Sequence, residues 1–235
     1  MVQPLPVSSS SRLLLSFYSL LWGLLPPFLL LSKRLRPNLK KRLWTRVNPD
    51  RADLWIQAAS TGEAGLVREM LESWPTDRTL KVLVTTNTLQ GLGVIENQPF
   101  PDHVHVQSAL CPRDSLCTMG KLLDACRPRA AVLLETELWP GIMGACREKG
   151  VPLMVVNGRL SSRSLARYVV LNRLWSELAP DQVLAVTGED AARFGHLFPS
   201  ARVETMANMK FDRARSASPI PFVHNNLSGL IKAQS

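Results

Sequence analysis

Residues 131–156 read AVLLETELWPGIMGACREKGVPLMVV, and this stretch decides the fold. Short apolar runs at 131–134 and 153–156 predict two strands, and the segment between them predicts a helix over 139–149. Gly150, followed by a Val-Pro pair, is typical of a helix end that leads into a strand. A strand, a helix and a second strand in this order predict a βαβ unit with parallel strands.

The same alternation extends over most of the chain from residue 54 onward. Further apolar runs predict strands at 54–58, 81–85, 104–107, 182–186 and 202–205. Further amphipathic segments predict helices at 63–73, 114–126, 164–178 and 190–197. Because several strands are almost continuously hydrophobic, helices should cover both faces of the sheet. We therefore predict an α/β fold with a Rossmann-like parallel sheet, which binds ligands beyond the carboxyl ends of its strands.

The positive charge of the chain lies mainly at its N-terminus. The net charge is +9, but the first fifty residues hold eight Lys and Arg side chains against Asp50 alone. The rest of the chain carries 20 basic and 18 acidic side chains. This distribution argues against a nucleic-acid-binding domain and favours attachment to an anionic membrane surface.

An uncharged apolar segment, LLLSFYSLLWGLLPPFLLL at 13–31, precedes a basic cluster at 33–46. As a helix it is just long enough to cross a hydrocarbon core of about 30 Å, although Pro26 and Pro27 should kink or break that helix. A spanning helix, a re-entrant or interfacial anchor, a cleaved signal peptide and a buried core helix are the alternatives. The basic cluster favours a membrane anchor, with the following domain on the cytoplasmic side.

Motifs for cofactors and metals are missing from the sequence. It has neither GxGxxG after the first strand nor GxxxxGK[ST], which argues against a nicotinamide or nucleoside-triphosphate enzyme. We interpret Gly91-Leu92-Gly93 as a turn, and His103 and His105, which lack a third ligand, as ordinary strand residues. The four cysteines show no metal spacing and are interpreted as reduced thiols, most of them in the core.

Polar residues follow three of the predicted strands at the point where each strand ends. These segments are ASTGE at 59–63, ETELWP at 135–140 and NGRLS at 157–161. Because the carboxyl ends of parallel strands meet at one edge of a sheet, the three segments should lie close together. The sequence therefore predicts a ligand site at this edge.

Five motifs, in order along the chain, resemble those of bacterial 3-deoxy-D-manno-octulosonic acid (Kdo) transferases. They are ASTGE at 59–63, TTNT at 85–88 with Gly91, LETELWP at 134–140, NGRLSSRSLARY at 157–168 and NMKFD at 208–212. The chain departs from the family pattern at Gly158 and Arg167, where alanine and glycine are usual. It also has CPRD at 111–114, where the family has a proline-tyrosine-aspartate turn.

The resemblance implies a fold, a reaction and a location. Family members transfer Kdo from CMP-Kdo to a lipid A precursor in lipopolysaccharide biosynthesis, and they have two Rossmann-like lobes, the GT-B fold. We expect a membrane anchor with its basic flank at 1–50, the N-terminal, acceptor-binding lobe at 51–212, and a linker towards a second, donor-binding lobe at 213–235. The implied location is the cytoplasmic face of the bacterial inner membrane.

Three residues match positions with catalytic roles in the family. Glu63 matches the general base that would deprotonate the acceptor hydroxyl, and Glu135 and Lys210 match positions that stabilise the transition state. From the residues alone, Glu63 is equally a plain helix-start glutamate and Lys210 a solvated lysine in a linker. We expect Glu63 to be exposed on its turn, with the helix dipole keeping the carboxylate ionised.

Further candidate residues would contact the substrate. They are Ser60, Thr61, Gly62, Thr86, Asn157, Arg159 and Arg163. The two arginines are candidates for the phosphates of the lipid A precursor, and the alternative is that they are ordinary solvent-facing side chains. CMP-Kdo would reach the site through the second lobe, and neither a cofactor, a metal nor nucleic acid is expected to take part.

Three other functions are compatible with the same motifs. The first is a catalytically inactive, membrane-attached module that binds the lipid A precursor. The second is a GT-B transferase that uses a different activated sugar, and the third is an interaction protein on a Rossmann-like scaffold. A second α/β lobe downstream would support the enzyme, and a chain without one would support the binding module.

Overall fold

The computed structural model describes residues 7–29, 49–72, 74, 79–135 and 138–209. Within these residues the chain forms seven strands and eight helices. The strands are β1 (Leu54–Gln57), β2 (Leu80–Thr86), β3 (Val104–Leu110), β4 (Ala130–Leu134), β5 (Leu153–Gly158), β6 (Gln182–Ala185) and β7 (Arg202–Thr205). The helices are α1 (Ser9–Leu29), α2 (Thr61–Glu72), α3 (Leu89–Asn97), α4 (Leu116–Cys126), α5 (Pro140–Lys149), α6 (Ser162–Val169), α7 (Asn172–Glu177) and α8 (Gly188–Leu197).

The seven strands form one parallel sheet in the order β3-β2-β1-β4-β5-β6-β7. In its register, Gln57 of β1 lies opposite Thr85 of β2 and Leu133 of β4. Each predicted strand is present, so the predicted Rossmann-like parallel sheet is confirmed. The strand order reverses between β1 and β4, which places the topological switch point, and its crevice, between these two strands.

Helices cover both faces of the sheet, as predicted. Alternate residues of a strand point to opposite faces, and the core is accordingly divided into two clusters. Ile56 and Val132 point to the side covered by α2 and α3. Trp55 and Leu133 point to the side covered by α4, α5, α7 and α8. The sheet is therefore buried on both faces, which leaves its carboxyl edge as the place for a site.

Residues 91–93 belong to helix α3, so their interpretation as a turn is wrong. Thr88 caps this helix, because its side chain accepts a hydrogen bond from Gly91 N at 3.0 Å. A Cβ on Gly91 would lie 2.4 Å from Thr86 Oγ1. The close approach of α3 to the end of β2, rather than a turn, is what requires glycine here.

The single helix predicted over 164–178 is divided into α6 and α7. Leu171, between them, has φ −113° and ψ 39°, outside the helical region. The turn brings Tyr168 of α6 and Trp175 of α7 into edge-to-face contact, with ring centres 4.8 Å apart. Residues seven apart in one continuous helix are separated by about 10 Å along its axis, so the turn is needed for this contact.

Helix α1 packs one of its sides against the domain. Leu15 is fully buried and lies over Gly144 of α5, where a Cβ would come within 3.0 Å of it. Further along α1, the hydroxyl of Tyr18 donates a hydrogen bond to Asp114 Oδ2 at 2.7 Å. One side of the apolar segment at 13–31 therefore contributes to the core of the domain.

The carboxylate of Glu177 on α7 fixes the first turn of α1. It accepts a hydrogen bond from Ser8 N at 2.9 Å, and Arg173 Nε lies 3.2 Å away. Partial burial acts to raise the pKa of Glu177, but hydrogen bonds from Ser8, Ser11 and Arg173 outweigh it and lower that pKa to about 2. The carboxylate therefore stays charged, and holds α1, at all but strongly acidic pH.

Within the described residues, no helix combines the length and the apolar character that crossing a membrane requires. The predicted spanning helix at 13–31 is thus not supported. The expected break at Pro26 and Pro27 is not observed either, since α1 continues from Ser9 to Leu29. Because the helix begins before the apolar segment does, the two prolines fall in its last turn. Residues 30–31 and the basic cluster at 33–46 lie outside the described residues.

All four cysteines are free thiols, in agreement with the prediction. Cys111, Cys126 and Cys146 are buried, and Cys117 is exposed. Burial raises the pKa of Cys126 to about 12, and a thiol that stays protonated is a poor nucleophile. The buried cysteines therefore serve as small core residues.

Candidate functional site

The three polar segments predicted from the sequence begin at one edge of the sheet, although residues 136–137 of the second lie outside the described residues. They follow β1, β4 and β5, which are successive neighbours, and the end of β2 adjoins β1 on the other side. The segments after β1 and β4 flank the switch point, where open parallel sheets bind their ligands. The predicted common edge is confirmed.

Glu63 is the third residue of α2, and its side chain folds back onto the two residues that precede this helix. Its Oε2 accepts a hydrogen bond from Ala59 N at 2.6 Å, and its Oε1 accepts one from Ser60 Oγ at 3.1 Å. The Ser60 hydroxyl in turn accepts a hydrogen bond from Glu63 N at 3.2 Å. Only 5 % of Glu63 is exposed. The prediction of an exposed carboxylate is therefore wrong, because the hydrogen bonds from Ala59 N and Ser60 Oγ hold the side chain against the turn.

Ser60, Thr61 and Gly62 are exposed beside this carboxylate. They form the last residue before α2 and its first two residues, where backbone N–H groups have no partner within the helix. All three candidate substrate contacts are thus accessible, and they lie at the switch point next to Glu63.

A chain of hydrogen bonds runs across β1 and β2 towards the same edge. Trp55 Nε1 donates to Thr85 Oγ1 at 2.8 Å, and the Thr85 hydroxyl donates to Gln57 Oε1 at 2.5 Å. Gln57 Nε2 lies 3.3 Å from Asn87 Oδ1. The backbone N of Asn87 donates to Ala59 O at 3.3 Å. This network fixes Asn87 against the turn that precedes α2.

Thr86, a predicted substrate contact, is fully buried where β2 meets α3, whereas Asn87 is only half-buried at the edge. Sequence reasoning selected Thr86 and missed Asn87 and Gln57. Two signals pointed to the missed pair: an asparagine directly after a strand, and a glutamine within an otherwise apolar strand. Asn87 is therefore more accessible to a ligand than Thr86 is.

Glu135 and Asn157 adopt the left-handed backbone conformation at the ends of neighbouring strands. Their φ angles are 59° and 57°, values that are uncommon for residues other than glycine and that cluster at functional sites. Both side chains are buried. Asn157 Nδ2 donates a hydrogen bond to Glu135 Oε1 at 3.3 Å, so the two strand ends are joined through their side chains.

Asn157 also contacts the segment that follows β7. Its Oδ1 accepts a hydrogen bond from Met209 N at 3.2 Å, and its own backbone N lies 3.3 Å from Met206 Sδ. Lys210, the predicted transition-state residue, is next in the chain but lies outside the described residues, as do residues 136–137. Because the Asn157 side chain is fully buried, it does not face a substrate as the sequence suggested.

The two candidate arginines lie beyond β5. Arg159 is half-buried, and its Nε has no hydrogen-bond partner among the described residues. Arg163 is exposed on α6. The loop between them is fixed by Asp190 of α8, whose Oδ1 accepts a hydrogen bond from Leu160 N at 2.9 Å. Sequence reasoning missed this anchoring aspartate.

In the part of the chain that the structure describes, no group of three or more His, Cys, Asp or Glu side chains is placed to hold a metal ion. The ring of His103 lies 3.1 Å from Trp74 O, and His105 is exposed on β3. The polar edge therefore consists of carboxylates, amides, hydroxyls and arginines.

Fold and site together define the class: a Rossmann-like α/β domain with carboxylates at its topological switch point. A family profile described as 3-deoxy-D-manno-octulosonic-acid transferase (Kdo transferase) matches residues 34–213. The chain belongs to this family of glycosyltransferases. The resemblance noted from the five motifs is thereby confirmed.

Similarity to individual proteins agrees with this assignment. The chain is 32 % identical over 171 residues to the 3-deoxy-D-manno-octulosonic acid transferase of Bordetella pertussis, covering 71 % of this chain and 39 % of that protein. It is 28 % identical over 196 residues to the enzyme of the same name from Haemophilus influenzae, covering 77 % and 43 %. A bifunctional glycosyltransferase/methyltransferase of Fusobacterium nucleatum is 28 % identical over 195 residues, covering 75 % and 29 %. The chain therefore spans less than half the length of each relative.

Proposed function

We propose that this chain is the acceptor-binding lobe of a GT-B glycosyltransferase that transfers Kdo from CMP-Kdo to a lipid A precursor in lipopolysaccharide biosynthesis. The observation that carries the proposal is the Glu63 carboxylate, fixed at the switch point in a member of the Kdo transferase family. The acceptor hydroxyl loses its proton as the new glycosidic bond forms, and a positioned carboxylate can take that proton.

The contacts of Glu63 suit a general base. The backbone N–H of Ala59 and the hydroxyl of Ser60 each fix one carboxylate oxygen, so the group is oriented before the substrate arrives. Ser60 itself is exposed. An acceptor hydroxyl that takes the place of the Ser60 hydroxyl would donate to Glu63 Oε1 and lie within reach of the base.

Glu135 and Lys210 are proposed to stabilise the transition state. A lysine beside the departing phosphate of CMP would offset its developing negative charge. Glu135 has the same sign as that phosphate, so we propose that it orients a cation or a sugar hydroxyl instead. Arg159 and Arg163 are proposed to bind the phosphates of the acceptor, since planar guanidinium groups form paired hydrogen bonds with phosphate oxygens.

The donor half of the site is proposed to lie in a second Rossmann-like lobe, because the chain spans less than half of each relative. CMP-Kdo carries its own leaving group, so the proposal needs no cofactor and no metal ion. The alternative is a membrane-attached module that binds the lipid A precursor without catalysis, and it would use the same polar edge.

We expect the 235-residue chain alone to bind a lipid A precursor but not to transfer Kdo. A fusion with the remaining segment of a related Kdo transferase should transfer Kdo from CMP-Kdo, detected as the mass increase of the precursor. Binding without transfer in the fusion, while the intact relative transfers under the same conditions, would favour the binding module. Transfer by the purified chain alone would contradict the need for a second lobe.

We also propose that α1 lies in the plane of an anionic membrane surface on the cytoplasmic face of the inner membrane. The side of α1 turned away from the domain is an apolar stripe of helical spacing, in which Leu13, Phe17 and Leu20 are 72 %, 59 % and 57 % exposed. Leu14 and Leu21 widen this stripe. The basic cluster at 33–46 follows it in sequence and would attract anionic headgroups.

Replacing two residues of this stripe, in the double variant Phe17→Ser and Leu20→Ser, should weaken binding to vesicles with one-third phosphatidylglycerol by about tenfold or more. Each large apolar side chain contributes about 1.5–3 kcal/mol when fully buried, and less when it only dips into the interface. Co-sedimentation measures the partition, and Ser16→Ala, an exposed position of the same helix, serves as the control. Unchanged partition of the double variant would contradict the in-plane arrangement.

A further inference from the structure

We propose that Asn157 is a positioning residue, which couples the carboxylate of Glu135 to the segment that carries Lys210. The inference rests on the proposed function, in which both residues act on the transition state. Asn157 is fully buried and uses both ends of its amide, towards Glu135 Oε1 at 3.3 Å and towards Met209 N at 3.2 Å. It therefore acts through these neighbours rather than on a substrate.

Asparagine suits position 157 because of its hydrogen-bonding groups and its backbone conformation. One end of the side chain must donate a hydrogen bond to a carboxylate, and the other must accept one from a backbone N–H. Aspartate would place a second carboxylate oxygen against Glu135, and leucine would provide neither group. Asparagine also tolerates the left-handed conformation better than most side chains do, and φ at this position is 57°.

The bonds of Asn157 join parts of the site that are distant in sequence. Glu135 directly follows β4, Asn157 lies in β5, and Met209 follows β7. The hydrogen bond to Met209 N fixes the backbone one residue before Lys210. A shift of Met209 would therefore displace Asn157 and, through it, Glu135, so a single amide sets the position of Met209 relative to Glu135.

Two substitutions separate the two bonds of Asn157. Asn157→Asp keeps the acceptor for Met209 N but replaces the donor to Glu135 by a carboxylate oxygen. Asn157→Gly accepts the backbone conformation without strain and removes both bonds. In the fusion with a donor lobe, each variant should lower kcat at pH 8 by about 10–100-fold, the scale of a lost hydrogen bond to a charged group. The KM for the acceptor should change by less than about threefold, because Asn157 does not touch it.

The pH profile distinguishes positioning from a merely structural effect. Two adjacent carboxyl groups share a proton at higher pH than an isolated one, and the protonated aspartate again donates to Glu135. The rate of Asn157→Asp relative to the parent should therefore rise as the pH falls from 8 to about 5.5, whereas that of Asn157→Gly should not. The other ionisable side chains at the same edge, such as Glu63, Arg159 and Asp190, are the same in the parent and in both variants, so the ratio of rates reports on residue 157.

Hydrogen exchange of the Met209 amide in the 235-residue chain provides a test that needs no activity. Exchange should become at least about tenfold faster in Asn157→Gly and change little in Asn157→Asp. Asn172→Asp, an exposed position on α7, should leave both rate and exchange unchanged. Equal exchange in parent and Asn157→Gly, or a kcat of either variant within twofold of the parent, would overturn the inference. An inactive parent fusion would refute the proposed function instead, and the exchange rates would still decide the position of Asn157.

Discussion

Glu63→Gln should lower Kdo transfer by about 10²–10⁴-fold in the fusion with a donor lobe, if Glu63 is the general base. The amide keeps the size of the side chain but cannot take a proton from the acceptor hydroxyl. Initial rates from CMP-Kdo at saturating acceptor measure the effect. The loss should appear in kcat, because the proton moves only during the chemical step.

We expect the Glu63→Gln variant to stay folded although the side chain is buried, because glutamine can keep the hydrogen bonds of Glu63. The glutamine oxygen can still accept from Ala59 N, and the Ser60 hydroxyl can accept from the new amide instead of donating to it. Loss of the charge at the start of α2 should cost about 1 kcal/mol. Thermal unfolding of Ser60→Ala, which removes the hydroxyl that caps Glu63 N, gives the cost of losing the cap for comparison.

Glu72→Gln provides the matched control. Glu72 is exposed at the end of α2, and among the described residues it forms an ion pair with Arg68 of the same helix at 2.6 Å. Such pairs contribute about 0.3–0.5 kcal/mol, so rate and stability should stay near those of the parent. Near-normal turnover of Glu63→Gln would refute the assignment of the base and leave Glu63 as a helix-capping residue.

Much of the fold could be predicted because the pattern of apolar runs is local. Each strand was visible as an apolar run, and Gly150 ends α5 in the left-handed conformation, with φ 65°, as predicted. The errors came from side-chain contacts that the pattern of apolar runs does not show. The glycine at 91 was interpreted as a turn because its reason, the Thr86 side chain beneath α3, is a tertiary contact.

The sequence predicted the location of the site but not the burial and contacts of its side chains. Topology alone puts the strand ends at one edge, but it does not tell which side chains are buried there. The burial of Glu63 had a local signal, since Ser60-x-x-Glu63 is a capping-box pattern. The bond between Asn157 and Met209 had none, because it joins residues 52 positions apart. Similarly, the apolar character of the segment at 13–31 did not show that one side of α1 packs on the domain.

The largest loss of stability is expected at Asp114, whose buried carboxylate caps α5 from a different segment of the chain. Trp139, at the start of this helix, makes no side-chain capping bond. Instead, Asp114 Oδ2 accepts from Gly141 N at 3.0 Å and Oδ1 accepts from Ile142 N at 2.8 Å. The hydroxyl of Tyr18 on α1 donates to the same carboxylate. One side chain therefore ties together α1, the loop before α4 and the start of α5.

Asp114→Ala should destabilise the chain by about 3–5 kcal/mol, measured by denaturant unfolding, because each buried donor left without a partner costs about 1–3 kcal/mol. Gly141→Ala should cost about 1–3 kcal/mol, since its Cβ would lie 2.5 Å from Asp114 Oδ1. Tyr18→Phe removes a single donor and should cost about 1 kcal/mol. Asp124→Ala, which breaks only an exposed ion pair with Lys149, should change stability by less than about 1 kcal/mol. An Asp114→Ala chain as stable as the Asp124→Ala control would show that α5 does not depend on this cap.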